Sequence, residues 1–238
     1  MTKQNEILND ERYKSVLDFG FVGLVEHMGS DASIAQSARV SYGTGTRKTS
    51  EDRALIRYLI NHNHSSPLEM ADFRFHMKLP IFVARQLVRH RTASLNEYSG
   101  RYSEMSDECY VPELDRLQPQ SLSNKQGSEG KLSDAEAKMA QYIIKDSSEH
   151  AFNDYKQLLS DKSCRGGDDF SCAVGSRQGV SRELARLVLP VNNYTELYWK
   201  IDLKNSDTPA LIAELKKITY FRANVLVVVK NLPDFNFY

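Results

Sequence analysis

Cysteine is scarce in this 238-residue chain, where Cys109, Cys164 and Cys172 are the whole supply. Three is an odd number, and no CxxC or Cys/His spacing accompanies them, so neither a disulfide framework nor a zinc site is expected. The cysteines read as buried or incidental thiols, and no metal is expected. An excess of one charge is also missing, because 31 Lys+Arg stand against 31 Asp+Glu. That balance argues against a general nucleic-acid binder and against a polybasic membrane surface, so any anion site must be local. Long apolar runs are absent too. The longest aliphatic stretch, Val225 to Val229, falls far short of the roughly 20 residues of a membrane span. The first ten residues are polar, with no apolar core of a secretory signal. A soluble, cytoplasmic protein is expected.

What is present is an ordinary globular balance, 41% hydrophobic and 26% charged, at a length suited to one large domain, taken as 1–238. The pattern predicts a short strand or turn near Phe21 to Val25 and a helix near Ala32 to Arg39. Leu55, Ile56, Leu59 and Ile60 share one face of a helix over about 51–62. From Asp72 the period changes to two, as Phe73, Phe75, Met77 and Leu79 alternate with Arg74, His76 and Lys78, which predicts a strand. Pro80 ends it, and a helix is expected over Ile81 to Arg91. Gln118 to Gly130 reads as a polar surface loop. Ser133 with Glu136 then forms a capping-box start for a long helix over about 131–160, whose Met139 through Tyr155 positions read as core. A second polar loop covers Asp161 to Gly179, Ser181 caps a short helix stopped by Pro190, and a last helix is expected from Thr208 into Val229. The fold class is α+β, a central sheet packed by helices with an additional long helical segment.

Charge is concentrated in one place. Arg85, Arg89, Arg91 and Arg101 face a single acid, Glu97, within seventeen residues, four cations against one anion. Guanidinium forks match phosphate oxygens, so the segment could grip a phosphate or pyrophosphate; a solvated, salt-bridged helix face is the plainer alternative. On a helix, Arg85 with Arg89 and Gln86 with His90 are i,i+4 pairs and would form two polar ridges. Ser94, Asn96, Ser99 and Gly100 follow in an expected loop whose amides could approach an anion. A binding loop fits better than a bare surface.

The string Arg89-His90-Arg91-Thr92-Ala93-Ser94-Leu95-Asn96-Glu97-Tyr98-Ser99-Gly100-Arg101-Tyr102 resembles the RHRxxSxNxxSxRY signature of the flavin-dependent thymidylate synthases at every fixed position. Flanking segments agree: SARVSY at 37–42, His64-Ser65-Ser66-Pro67 with Glu69, PIFVARQ at 80–86, SRELARLVLP at 181–190 and YTELYW at 194–199. The resemblance covers about residues 20–205. It implies reductive methylation of dUMP to dTMP, with methylenetetrahydrofolate as one-carbon donor and NADPH as reductant through FAD. It also implies a homotetramer with shared active sites. By the same resemblance Ser66, Arg89, His90, Arg91, Glu97, Asp202, Leu203 and Lys204 would bind FAD. Gln86, Leu87, Val88, Arg89, Glu97, Tyr98, Ser99, Gly100, Arg101 and Arg186 would bind dUMP, with Arg101 and Arg186 as phosphate partners. No cysteine lies in the cluster, so a thiolate attacking C6 of the uracil is not expected there; reduction through the flavin would replace it.

His64 reads equally as a turn histidine or a ligand contact, Arg182 and Arg186 could simply decorate a short helix, and Tyr102 reads as packing or a hydroxyl donor. Beyond Asn205 the pattern departs from the family. Ser206 to Arg222 lacks the arginine of the family's FLxLR helix, the group that would activate the uracil ring, so no catalytic residue is assigned. Two further readings follow: a flavin- or nucleotide-binding relative impaired in catalysis, and, more remotely, an RNA-binding loop, which the neutral overall charge opposes.

Overall fold

The alternation at Phe73, Phe75, Met77 and Leu79 is what a half-buried strand requires, and in the computed structural model it forms the middle of a five-stranded sheet. The structure describes residues 7, 9–42, 49–89, 91–125, 127–159 and 179–206. The strands are β1 (Tyr13–Val16), β2 (Gly20–Met28), β3 (Asp72–Pro80), β4 (Ser94–Glu97) and β5 (Tyr194–Asp202), in the order β1-β2-β3-β5-β4. β1 with β2, β2 with β3, and β4 with β5 pair antiparallel. The helices are α1 (Asp31–Arg39), α2 (Thr49–Asn61), α3 (Ile81–Leu87), α4 (Asp134–Leu159), α5 (Arg182–Ala185) and α6 (Leu203–Ser206), with a 3-10 turn at Ser66–Met70. The architecture is α+β. Contacts gather the described residues into two compact units, one drawn from Met1–Leu79, Val83–Glu97 and Glu196–Tyr238, the other from Pro80–Phe82 and Tyr98–Thr195.

In the first unit the sheet sorts its residues by the pleat. The register Val22↔Met77 and Leu24↔Phe75 brings buried side chains of β2 and β3 together, and Leu197, Trp199 and Ile201 of β5 are equally buried. Phe75 and Trp199 rings lie 6.1 Å apart. Buried Ile34 of α1, Ile56 and Leu59 of α2, and Val83, Ala84 and Leu87 of α3 complete this unit's core. α1 starts at a capping box in which Ser30 and Ser33 exchange side-chain and main-chain bonds, and Arg39 near its end pairs with buried Asp52 of α2. On the opposite sheet face Tyr13 lies over Gly23, where a Cβ would collide with its ring. The Tyr13 hydroxyl reaches Nδ1 of buried His76 at 3.0 Å, whose Nε2 meets Glu196 at 2.7 Å.

In the second unit α4 is the backbone of the arrangement. Ser133 Oγ accepts the Glu136 amide at 3.3 Å while the Glu136 carboxylate accepts the Ser133 amide at 2.9 Å, so both members of the box engage. These bonds hold the Glu136 carboxyl below its ordinary range, the Ser133 hydroxyl contributing most. Ala137, Ser148 and Tyr155 are buried, and Phe152, Leu158 and Leu159 pack near Tyr155. The core expectation for this helix needs correction: Met139, Tyr142 and Ile143 are exposed. A helix can turn only one stripe inward, and the spacing 137, 141, 144, 148, 152, 155 is that stripe; 139, 142 and 143 fall on the other side.

The helix expected to Arg91 ends at Leu87. Its last turn tightens, with the Arg89 amide donating to Gln86 O at 3.2 Å, and the i,i+4 ridge from Arg85 to Arg89 is not continued as regular helix. Ser94 to Glu97, expected as loop, is instead β4, because Ser94↔Lys200 through Glu97↔Leu197 supply a ladder that local sequence does not announce. The last expected helix, from Thr208 into Val229, lies outside the described residues, as does nearly all of the expected polar loop at 161–179.

Candidate nucleotide and flavin site

Within the first unit, α3 ends in a set of exposed polar groups. Arg85, Gln86 and Arg89 are exposed, as are Val88 and Arg91, while Leu87 is buried, so any ligand contact at Leu87 is through its main chain. Arg85, Arg89 and Arg91 make no ion pair or hydrogen bond through their guanidinium groups among the described residues. Three cations without partners among the described residues stand on one short segment. β4 follows as an edge strand with all four side chains exposed, including Asn96 and Glu97. His90 lies outside the described residues.

The other residues assigned to FAD also belong to this unit. Ser66 opens the 3-10 turn, with Pro67 beside it at the position where a missing amide costs nothing. The end of β5 meets that turn: the Leu203 amide donates to Ala71 O at 2.7 Å, and Lys204 Nζ reaches Glu69 at 3.1 Å. The structure therefore brings Ser66, Glu69, Asp202, Leu203 and Lys204 to one locality, although they are over 130 residues apart in the chain. His64 is exposed just before the turn, its ring edge-on to Tyr58 at 5.8 Å, while His62 stacks on Tyr58 at 4.0 Å.

The second unit holds the rest of the signature. Ser99 O accepts the amides of Tyr102 and Ser103, both at 3.1 Å, and Ser99 Oγ accepts the Arg101 amide at 3.3 Å, which closes Ser99–Ser103 into a tight turn. Gly100 is buried in it. A Cβ there would lie 3.0 Å from Met105 Sδ and 3.2 Å from Arg186 Cδ, so the absence of a side chain lets Arg186 lie against the turn. Arg186 makes no guanidinium ion pair among the described residues, whereas Arg101 Nε is 3.2 Å from Glu183 Oε2. Two cations assigned to phosphate thus come within the same unit as Ser99 and Gly100. Tyr102 is exposed, and its side chain packs against nothing that would make it core.

Four residues in contact with the signature or with the segment after it escaped the sequence reading as site neighbours: Glu183, Glu104, Lys156 and Tyr155. Glu183 sits in the SRELARLVLP segment, and its partner is over eighty residues away. Glu104 follows the signature immediately, but its partner Lys156, at 2.8 Å, lies on α4. Tyr155 accepts the Met105 amide at 3.0 Å and is fully buried. Only the tyrosine's place on the buried stripe of α4 is visible in the sequence. The Lys156 bond holds the Glu104 carboxyl below its usual range, and Glu104 in turn raises the Lys156 ammonium.

The structure is an α+β fold whose exposed arginines, without guanidinium ion pairs among the described residues, offer donor forks of the geometry that phosphate oxygens match. Residues 23–206 match the family described as thymidylate synthase complementing protein, and the chain belongs to it. Flavin-dependent thymidylate synthases are among its relatives: that of Ehrlichia ruminantium (strain Gardel) is 48% identical over 200 residues, 83% of this chain and 62% of the relative. That of Thermus thermophilus is 51% identical over 190 residues, 80% of this chain and 62% of the relative. The chain spans about six-tenths of the length of these curated relatives. Among solved structures, the UMP/dUMP methylase PolB from Streptomyces cacaoi, bound with 5-Br UMP, superposes with a TM-score of 0.64. It is 32% identical, with 82% of this chain and 76% of that one covered.

Proposed function

We propose that this chain is a flavin-dependent thymidylate synthase, forming dTMP from dUMP with methylenetetrahydrofolate as carbon donor and NADPH as reductant. The observation that carries the reading is the set of exposed arginines, Arg89, Arg91 and Arg186, which make no guanidinium ion pair among the described residues and lie within or beside a complete family signature. The donor set fits FAD: a diphosphate is matched by several guanidinium groups, and Arg89 and Arg91 make no guanidinium ion pair among the described residues. Ser66, His90, Glu97, Asp202, Leu203 and Lys204 complete the FAD-binding set. FAD, when bound, would supply hydride to the substrate, so that no protein thiolate need attack C6 of the uracil.

The chain's own residues bind and orient. Arg101 and Arg186 hold the dUMP phosphate, the Ser99 hydroxyl and the turn amides add donors, and Gln86, Leu87, Val88, Arg89, Glu97 and Tyr98 line the remaining nucleotide contacts. Cys109, the one described cysteine, is buried and faces Asn193 Nδ2 at 3.7 Å, so it presents no nucleophile. Guanidinium forks match phosphate oxygens in geometry as well as in charge. Four copies assemble with shared active sites; the exposed apolar stripe Met139, Tyr142 and Ile143 supports assembly. No helix among the described residues is long and apolar enough to cross a membrane, in keeping with a cytoplasmic place.

The test is a turnover assay with FAD, NADPH, methylenetetrahydrofolate and dUMP, scored by dTMP formed and by the flavin absorption band of the purified protein. Colourless protein that takes up no added FAD would defeat the proposal. A second reading, a relative that binds without turning over, is favoured by the missing FLxLR arginine in Ser206 to Arg222, nearly all of which lies outside the described residues. Calorimetric dUMP binding with no dTMP would select it, and restoring an arginine in that stretch would then rescue turnover.

A further inference from the structure

We propose that Tyr155 and Lys156, on a helix far from the signature, are positioning residues for the nucleotide phosphate turn. This rests on the dUMP reading above. The turn Tyr98–Met105 has little to define it locally, because Tyr98, Arg101, Tyr102, Ser103 and Glu104 are all exposed. Its shape is closed by its own bonds at Ser99 and by the Tyr98 hydroxyl, which donates to Glu104 O at 2.7 Å. α4 then grips the end of that closed loop at two consecutive residues. The Met105 amide donates to the Tyr155 hydroxyl at 3.0 Å, and Lys156 Nζ donates to Glu104 Oε2 at 2.8 Å.

The same tyrosine shares a buried cluster with the residue that precedes the other proposed phosphate cation. Met105, Tyr155 and Ala185 form one buried cluster, and Ala185 immediately precedes Arg186. Met105 also fills the space beside Gly100 that Arg186 shares. Turn and helix therefore rest on a single ring, and its hydroxyl sets the height of the turn above it. A fully buried hydroxyl has no water to replace a lost partner, so this bond fixes position more firmly than the exposed Lys156 pair does. Phosphate clamps demand such support, since small displacements of a binding group reduce ligand affinity steeply.

The experiment uses the full-length, FAD-loaded protein with Tyr155→Phe, Lys156→Met, Lys156→Arg and, as a control, Lys145→Met, at an exposed lysine of α4 away from the turn. Calorimetry with dUMP, melting temperature, bound flavin and the KM for NADPH are measured. Tyr155→Phe and Lys156→Met are each expected to weaken dUMP by about threefold to tenfold. Bound flavin and the KM for NADPH stay at the wild-type values, Lys156→Arg restores most of the affinity, and Lys145→Met leaves dUMP binding unchanged. Unchanged dUMP affinity in both variants would overturn the proposal. So would a loss that vanishes once binding is corrected for the folded fraction or that extends equally to flavin. A wild-type protein that binds FAD but no dUMP would overturn the functional reading and this inference together; intact wild-type binding with unaffected variants overturns the inference alone.

Discussion

Arg101 presents its Nε edge to Glu183, 3.2 Å away, and so keeps the two terminal nitrogens of its guanidinium uncommitted among the described residues. An arginine held by one edge is aimed by the protein and still able to fork onto a ligand. Glu183→Ala should therefore raise the KM for dUMP several-fold while the melting temperature moves little, because an exposed ion pair contributes only about 0–1 kcal/mol to stability. Steady-state kinetics beside a thermal melt would check this, and a fall in stability without a KM change would contradict it.

Arg186 and Gly100 are separate in sequence and adjacent in space. Arg186→Lys keeps the charge and removes the fork, so dUMP affinity should fall by on the order of tenfold or more. Gly100→Ala should also weaken dUMP with the fold intact, since the added methyl displaces Arg186 or Met105 by a few tenths of an ångström. Titration calorimetry on both variants measures the two effects.

Acid should loosen the turn before it unfolds the protein. The Lys156 bond holds the Glu104 carboxyl below its ordinary value of 4.5, so its contribution is complete above that value and is lost as pH falls through the lowered one. Lys156 works in the opposite sense: raised above 10.5, it contributes below that value and is lost as pH rises through the raised one. The pair is thus intact across neutral pH. Lys156→Met should abolish the acid-side change in dUMP affinity attributable to Glu104, measured against wild type down the acid limb.

The start of α4 offers a stability test remote from the ligand residues. Ser133→Ala removes the cap that Glu136 answers and should cost about 1 kcal/mol, read by chemical denaturation. The Glu136 contribution, with its carboxyl lowered, should be present at neutral pH and disappear on acidification.

On the sheet, Gly23→Ala places a methyl into the Tyr13 ring. Relief requires the ring to swing away from His76, and overpacking of this kind costs about 1–3 kcal/mol. A lower denaturation midpoint with unchanged flavin content is the expected outcome.

Much of the architecture was legible in residue order because its causes are local. β3 declares itself by alternation at Phe73 to Leu79, α4 by the Ser133–Glu136 box, and the proposed anion site by arginine crowding around a signature that no other part of the chain repeats. Local patterns failed where a distant partner decides. Ser94 to Glu97 has no strong strand pattern and becomes a strand because β5 provides a ladder, while Met139, Tyr142 and Ile143 look like core until the helix rotation is known.

Residue order alone thus determined the family and the periodic elements, and it marked the guanidinium groups proposed to hold phosphate, since these depend on residue chemistry and short-range spacing. Tertiary structure alone decided that Glu183 steadies Arg101, that Lys204 meets Glu69, and that Tyr155 supports Met105. Each of those contacts joins residues fifty or more positions apart, and direct hydrogen bonds and ion pairs require atoms a few ångströms from one another, a proximity that only chain folding supplies.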